Sequence, residues 1–157
     1  MKIVVIGDSH GNVANIKLAM GFAKKIKAGA IIHCGDWDNL QSVKTVYSYK
    51  IPVYGVLGNA DVDEQITKNL KLKAKKFNKK FLRLKLDGRI IGVVHNILIS
   101  SKLSVVSCDI VFCGHRHFKS ERIVDGVKIV APGALHSSEP SFAVYDTGTN
   151  KVEIFDL

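Results

Sequence analysis

The sequence predicts an α/β fold in which two mixed β-sheets pack face to face and helices flank them. Two observations lead to this prediction: the first half alternates buried apolar runs with helical patterns, and the second half consists mainly of hairpin patterns. With 157 residues, 46% of them hydrophobic, the chain is long enough for one buried core and too short for two ordinary domains. We therefore expect a single domain over residues 1–157.

Three buried strands are predicted in the first half. The run Ile3–Ile6 is continuously β-branched, which is typical of a strand covered on both faces. The apolar runs Ala30–Cys34 and Val53–Leu57 have the same character. Each run ends at a glycine that is followed by a polar residue. The order of elements is therefore that of a parallel sheet with helical crossovers.

Two helices are expected between these strands. From Val13 to Ile26 the apolar residues fall on one helical stripe, and Asn12 is suited to the N-cap position. A second helix is predicted from Leu40 to Tyr49, and Pro52 prevents its continuation. The first half therefore reads β-α-β-α-β.

The second half is expected to be mainly antiparallel. The segment Phe81–Leu86 alternates apolar and polar residues and is joined through Asp87-Gly88 to the run Ile90–Val94, which is typical of a hairpin. A short helix is predicted over Ile97–Val106. Further strands are predicted over Asp109–Cys113, Glu121–Val124, Val127–Ala131, Ser141–Tyr145 and Val152–Phe155.

The net charge of +9 is concentrated in one segment. Nine basic residues and no acidic one lie between Lys68 and Lys85, and we interpret the stretch of about residues 68–80 as a loop. Such a stretch attracts polyanions, but lysines also protect exposed strand edges. Only Phe77 and Phe81 are available there to stack on bases, so nucleic-acid binding is compatible with this segment but not favoured.

The N-terminal segment and the cysteines indicate a cytoplasmic protein. The apolar run Ile3–Ile6 is too short for a signal sequence or membrane span, and we expect no membrane association. The three cysteines, Cys34, Cys108 and Cys113, lack CxxC spacing and lie in or beside apolar runs. This favours buried reduced thiols over disulfides or a zinc site.

Seven candidate metal ligands follow the apolar runs. Taken singly, an aspartate after a glycine is usually part of a turn, and a buried histidine is usually a hydrogen-bonded core residue. Together, however, they form a pattern of side chains at strand ends, where ligand sites of α/β sheets form. The seven residues are Asp8, His10, Asp36, Asn59, His95, His115 and His117.

The local sequences around these residues are recognisable as motifs. They read Gly-Asp-Ser-His-Gly-Asn over 7–12, Gly-Asp over 35–36, Gly-Asn-Ala-Asp over 58–61, Val-His-Asn over 94–96 and Gly-His-Arg-His over 114–117. In this order they resemble the calcineurin-like metallophosphoesterase superfamily, in particular its short bacterial and archaeal phosphodiesterases. The resemblance implies a four-layer α/β/β/α sandwich and a two-metal hydrolase.

The resemblance also implies a role for each ligand. Asp8, His10 and His117 would hold one metal, Asp36 would bridge, and the amide and imidazole groups of Asn59, His95 and His115 would complete the second. Two metals about 3.5–4 Å apart neutralise a phosphate and generate a bridging hydroxide that attacks phosphorus. Imidazole, carboxylate and amide donors suit Mn, Ni, Fe, Co or Zn and not calcium.

The chain departs from the family pattern at two places. Many relatives have a histidine where this chain has Ala60, and general-acid help of that kind accelerates reactions by about 10²–10⁴-fold. Slow cleavage, or a preference for good leaving groups, is therefore expected. Asp61 either substitutes for this histidine or caps the turn, and we place it with Asp36 and Asn59 as a catalytic candidate. The loop Ala131–Ala134 lacks two polar side chains that are usual in relatives.

Other polar residues near the motifs have weaker roles. Asn12 and Arg116 adjoin ligands and are candidates for binding the substrate phosphate, although Arg116 can equally point to solvent. His33 lies inside a predicted strand and is interpreted as structural, while His136 is a weak candidate for supporting a ligand or the substrate.

Together these observations predict a dinuclear-metal phosphodiesterase acting on a small or nucleotide-like phosphodiester. A phosphomonoesterase and a non-catalytic metal-binding scaffold are the alternatives, and a nuclease would be supported only by the Lys68–Lys85 charge. The chain is also compatible with a homo-oligomer.

Overall fold

A computed structural model describes residues 1–98 and 107–157. These residues form three helices and eleven strands. The helices are α1 (Val13–Lys25), α2 (Leu40–Ser48) and α3 (Glu64–Lys73). The strands are β1 (Lys2–Ile6), β2 (Ala30–His33), β3 (Val53–Val56), β4 (Lys76–Asn78), β5 (Phe81–Leu86), β6 (Arg89–Val94), β7 (Ile110–Cys113), β8 (Lys119–Val124), β9 (Val127–Pro132), β10 (Ser141–Asp146) and β11 (Lys151–Asp156).

The strands form two mixed sheets, which confirms the predicted fold class. The first sheet, sheet A, has the order β11-β10-β1-β2-β3-β4, and the second, sheet B, has the order β5-β6-β7-β9-β8. The division between early parallel and late antiparallel strands is less strict than the sequence indicates. The C-terminal hairpin β10–β11 joins the parallel strands of sheet A, and β6, β7 and β9 pair in parallel in sheet B.

The two sheets enclose the central core. Alternation along β1 turns Ile3 and Val5 toward sheet B, where they belong to one cluster with Ile91, Phe112 and Val130. Val4 and Ile6 belong instead to the cluster formed with helices α1, α2 and α3. The outer face of sheet B carries a third cluster. The helix predicted over residues 97–106 lies, apart from a turn at residues 97–98, outside the described residues.

The helices begin at side-chain caps. The side chain of Asn12 accepts a hydrogen bond from the backbone N–H of Asn15 at 3.1 Å, as predicted, and Asn39 caps α2 in the same way. The interpretation of residues 68–80 as a loop is wrong, because this segment contains the last part of α3 and then β4. Helix α3 forms because Asp63 caps it and because Ile66 and Leu70, four residues apart, are both buried.

The burial of the cysteines agrees with the sequence-based expectation. No helix within residues 1–98 and 107–157 is long and apolar enough to cross a membrane. All three cysteines are buried. Burial raises the pKa of the Cys113 thiol to about 11, so that this side chain is uncharged at neutral pH.

The aromatic cluster between α1 and the C-terminal hairpin supplies a test of this packing. Phe142 is 1% exposed and its ring centroid lies 5.0 Å from that of Phe22 and 5.6 Å from that of Phe155. We expect Phe142→Ala to lower the free energy of unfolding by about 3–5 kcal/mol, because it leaves a cavity in the core. Phe118→Ala is the matched control, since Phe118 is 46% exposed. Equal losses for the two variants in urea titrations would contradict the assignment of the core.

Candidate metal centre

The loops that follow five strands meet at one end of the two sheets. Backbone hydrogen bonds join the loops after β1 and β2, since Asp8 N–H donates to Gly35 O and Ser9 N–H donates to Asp36 O, both at 3.0 Å. The loops after β6 and β7 are joined in the same way, because Gly114 N–H donates to His95 O at 3.0 Å. This arrangement brings all seven predicted ligand side chains to one place.

Four of them form a compact group that could hold a metal ion. The ligand atoms of Asp8, His10, Asp36 and His117 all lie within 4.8 Å of one another. His10 Nε2 lies 3.3 Å from Asp36 Oδ2, and His117 Nε2 lies 3.6 Å from Asp8 Oδ1. The two imidazole nitrogens are 3.4 Å apart. Two carboxylates and two imidazoles are a donor set suited to first-row divalent metals.

The other three side chains adjoin this group. His95 Nδ1 lies 3.0 Å from the carbonyl oxygen of Cys34, to which it donates, so Nε2 carries a lone pair when the ring is neutral. Burial lowers the pKa of His95 and favours that neutral form. Asn59 Oδ1 nevertheless lies 2.9 Å from His95 Nε2 and also 2.9 Å from His115 Nδ1. Asn59 Oδ1 and His95 Nε2 are both acceptors. Two acceptors at this distance fit a cation that both of them bind.

Asp36 lies between the two groups. Its Oδ2 is 3.3 Å from His10 Nε2 and 3.4 Å from His95 Nε2, while its Oδ1 accepts the backbone N–H of Ala60 at 2.9 Å. Gly58 is needed beside it, because a Cβ atom at this position would collide with the Asp36 carboxylate. The carboxylate is therefore fixed where it can face both sets of donors.

The carboxyl groups of the centre favour binding of a cation. Burial raises the pKa of the Asp8 carboxyl from 3.8 to about 7, the backbone N–H of His115 opposes this increase, and the carboxylates of Asp36 and Asp61 add to it. Burial also lowers the pKa of His117, which favours the uncharged form of that ring. Carboxylates that lie close together are stabilised by a bound divalent cation. The donors present therefore fit a metal centre.

The backbone at the centre adopts an unusual conformation. Asp8, His10, Asp36, His115 and His117 have φ values of 47°, 39°, 58°, 73° and 58°. Aspartate and histidine are among the few residues other than glycine that enter this left-handed region, at a cost of about 1–3 kcal/mol each. The turn at His115-Arg-His117 lets the two rings diverge, so that His115 faces Asn59 and His117 faces Asp8.

Asp61 binds the backbone of two loops. Its Oδ2 accepts the N–H groups of Asp36 at 3.0 Å and Gly58 at 2.8 Å, and its Oδ1 accepts the N–H of Asp38 at 2.8 Å. Burial raises the pKa of this carboxyl, while these N–H donors oppose the increase. With both oxygens engaged, the contacts favour the capping role of Asp61 over the catalytic one.

His33 and Ser9 connect the loops after β1 and β2 through buried hydrogen bonds. His33 is fully buried and stacks on Trp37 with 3.6 Å between ring centroids. Its Nδ1 accepts the N–H of Gly35 at 3.2 Å, so Nε2 bears the proton and donates to Ser9 Oγ at 3.1 Å. Ser9 Oγ in turn donates to Asp36 O at 3.2 Å. Sequence reasoning missed the role of Ser9, and its position beside Asp8 was the only signal.

The predicted substrate contacts are more peripheral. The side-chain oxygen of Asn12 is engaged in capping α1. Arg116 is exposed, and its guanidinium carbon lies 4.9 Å from the centroid of the Phe118 ring. The ring of His136 lies 4.9 Å from that of His10, and its backbone N–H donates to Asp8 O at 3.2 Å. Substrate binding by Asn12 and Arg116 stays a prediction.

One pocket adjoins the centre. It has a volume of about 270 Å³ and shares Asn59, His95 and His115 with the group described above. Two lysines that sequence reasoning did not select, Lys79 and Lys80, also line it. A larger cavity of about 560 Å³ is lined by residues of α1, α2 and the turn after α2, and it shares no residue with the centre.

Metal affinity should depend on pH because a proton and a metal compete for Asp8. Below pH 7 the carboxyl is increasingly protonated in the metal-free protein, so we expect the affinity for Mn²⁺ to fall by up to about tenfold per pH unit. Calorimetric titrations at a series of pH values measure this. In Asp8→Asn the affinity should be weaker and its dependence on pH flatter. An affinity of the unmodified protein that is constant through pH 7 would contradict the assignment.

Comparisons with known proteins agree with this geometry. The profile of the calcineurin-like phosphoesterase superfamily domain matches residues 1–150. Phosphodiesterase MJ0936 of Methanocaldococcus jannaschii is 24% identical over 158 residues, which cover 94% of this chain and 93% of that protein. The solved structure of an archaeal phosphodiesterase covers 100% of both chains with a TM-score of 0.86 and 22% identity. That of vacuolar protein sorting 29 from Cryptosporidium parvum covers 99% of this chain and 96% of that chain, with a TM-score of 0.68 and 17% identity. The chain therefore belongs to the calcineurin-like phosphoesterase superfamily and is an enzyme of the hydrolase class.

Proposed function

We propose that the protein is a phosphodiesterase that uses two divalent metal ions to hydrolyse small phosphodiesters. The position of Asp36 carries this proposal, because one of its oxygens lies within 3.4 Å of nitrogen atoms from both donor groups. A carboxylate placed in this way can serve two cations, whereas a single-metal site would need only one of the groups.

The donors differ in their exposure to solvent. Asp8, Asp36 and His95 are buried, while Asn59, His115 and His117 are exposed. The buried donors hold the positions of the centre, and the exposed donors leave a side open to the phosphate. Bound metal ions would supply the Lewis acidity that neutralises the phosphate and activates water.

The donor types favour borderline transition metals. Carboxylate, imidazole and amide groups suit Mn²⁺, Fe²⁺, Co²⁺, Ni²⁺ or Zn²⁺, and hard Ca²⁺ prefers sites made of oxygen atoms alone. Mn²⁺ and Ni²⁺ are the ions that we propose to test first.

The loop after β3 favours diesters with good leaving groups. The side chain of Ala60 carries no acidic proton, and both oxygens of Asp61 accept backbone N–H groups. Within the described residues, this loop therefore offers no general acid to the leaving alkoxide. A diester of an aryl alcohol needs such help least, so we propose diesters with good leaving groups as substrates and keep a phosphomonoesterase as the alternative.

A non-catalytic scaffold is the alternative from another class. The intact donors at all seven positions argue against it, since a scaffold has no use for left-handed backbone and clustered carboxylates. A nuclease is not favoured either, because the structure distributes the basic run over α3, β4, β5 and their turns. The single domain over 1–157, the cytoplasmic location and a homo-oligomer stay predictions.

The direct test is hydrolysis of bis(p-nitrophenyl) phosphate with Mn²⁺ or Ni²⁺. We expect Asp36→Asn and His115→Ala to lower kcat/KM at least about a hundredfold, since each removes a donor from the centre. Asp125→Asn is the matched control, because Asp125 is also an aspartate with positive φ at a strand end but is exposed and lies outside the motifs, in the turn between β8 and β9. Absence of metal-dependent hydrolysis, or activity that survives both substitutions, would rule out the proposal.

The side chain at position 60 should determine the dependence on the leaving group. Ala60→His introduces an acid beside Asp36, and we expect it to accelerate cleavage of alkyl diesters by up to about 10²–10⁴-fold while aryl diesters change little. The measurement is the slope of log kcat against the pKa of the leaving alcohol for both proteins. If the slope of the variant equals that of the unmodified enzyme, the missing acid does not limit the reaction.

A further inference from the structure

The turn between β4 and β5 joins the edges of the two sheets beside the metal centre. Strand β4 pairs with β3, and Val56 is opposite Asn78. Strand β5 pairs with β6, and Phe81 is opposite Val94. Since β3 leads to Asn59 and β6 leads to His95, the two residues between β4 and β5 lie next to the exposed side of the centre. These two residues are Lys79 and Lys80.

The turn is fixed by its two flanking strands and by a hydrogen bond within it. Its ends are fixed by the ladders of sheets A and B, and the side-chain oxygen of Asn78 accepts the backbone N–H of Lys80 at 3.0 Å. Such a turn fixes the backbone of both lysines, so that binding an anion has to order only their side chains. Within residues 1–98 and 107–157, neither lysine ammonium forms an ion pair with a carboxylate. Both lysines are exposed and remain available to an anion.

The pocket below the turn has room for one small group. Its volume of about 270 Å³ is near the lower limit for small-molecule pockets, which hold about 300–1,000 Å³. Leu57 and Val94 supply apolar wall, Asn96 adds a polar group, and the two lysines line the same pocket as the donors of the centre. A phosphodiester whose phosphate lies at the centre would place one of its alcohol groups in this pocket and the far end of that group at the lysines.

We propose that Lys79 and Lys80 bind a second phosphate of the substrate, so that the preferred substrate is a phosphodiester in which one esterified alcohol carries a further phosphate. This inference rests on the proposed function and narrows its substrate class. Of the nine basic residues between Lys68 and Lys85, these two line the pocket, whereas Lys71 and Lys73 lie in the last turn of α3. The basic run therefore acts through one turn and not as a general polyanion surface.

The kinetic test compares thymidylyl dinucleotides with and without a terminal phosphate, placed at the 5′ or the 3′ end in separate arms. With Mn²⁺, we expect a terminal phosphate at one end to raise kcat/KM by about five- to tenfold, mainly through KM, as two partly exposed ion pairs would provide. Lys79→Gln/Lys80→Gln should abolish this advantage. The matched control, Lys71→Gln/Lys73→Gln, removes the same charge and should keep the advantage.

A binding measurement makes the result independent of turnover. In calorimetry with Mn²⁺, thymidine 3′,5′-bisphosphate should bind about five- to tenfold more tightly than the two thymidine monophosphates, and only Lys79→Gln/Lys80→Gln should remove the difference. No advantage of the bisphosphate, or an equal loss in both double variants, would overturn the inference even if aryl diesters are cleaved. Failure to cleave any diester would instead refute the proposed function, and the binding comparison would still decide the role of the lysines.

Discussion

The metal centre depends on one buried carboxylate, that of Asp36, which contacts two groups of donors. Asp36 stands where the loop after β2 passes between the loops after β1 and β3, and it approaches His10 on one side and His95 on the other. Its backbone has a positive φ, its Oδ1 is held by the N–H of Ala60, and its own N–H is held by Asp61. With its backbone N–H and one carboxylate oxygen both hydrogen-bonded, Asp36 has little freedom to move between the two donor groups.

Much of the surrounding structure serves this constraint. Gly58 leaves the space that the carboxylate occupies, and His33 connects through Ser9 to the carbonyl oxygen of Asp36. These groups bind no ligand themselves, yet they remove the freedom that a carboxylate on a surface loop would have. The cost is a folded state that holds acidic groups together and several residues in a sparsely populated backbone conformation. Such an arrangement is retained where a bound cation offsets it.

The sequence predicts the strands of both sheets well because each strand depends on a local pattern of residues. Buried runs such as Ile3–Ile6 end at a glycine and a polar residue, and this pattern places the ligand side chains at strand ends without any knowledge of the fold. Helix α3 was missed because its lysines obscured the spacing of Ile66 and Leu70. The contacts of Lys79 could not be read from the sequence at all, since they depend on how the edges of two sheets meet. The divergence of His115 and His117 likewise depends on φ angles that only the assembled turn shows.

The pairing of β1 with β10 has a consequence for the order of folding. Lys2 is opposite Asp146, so strand β1 in the middle of sheet A acquires its antiparallel neighbour only after β10 has been synthesised. The same late segment holds the Asp8 loop, because Leu135 N–H donates to Gly7 O and His136 N–H donates to Asp8 O. Contacts between residues so distant in sequence form slowly. A nascent chain therefore presents its first acidic motif long before that motif has its final shape.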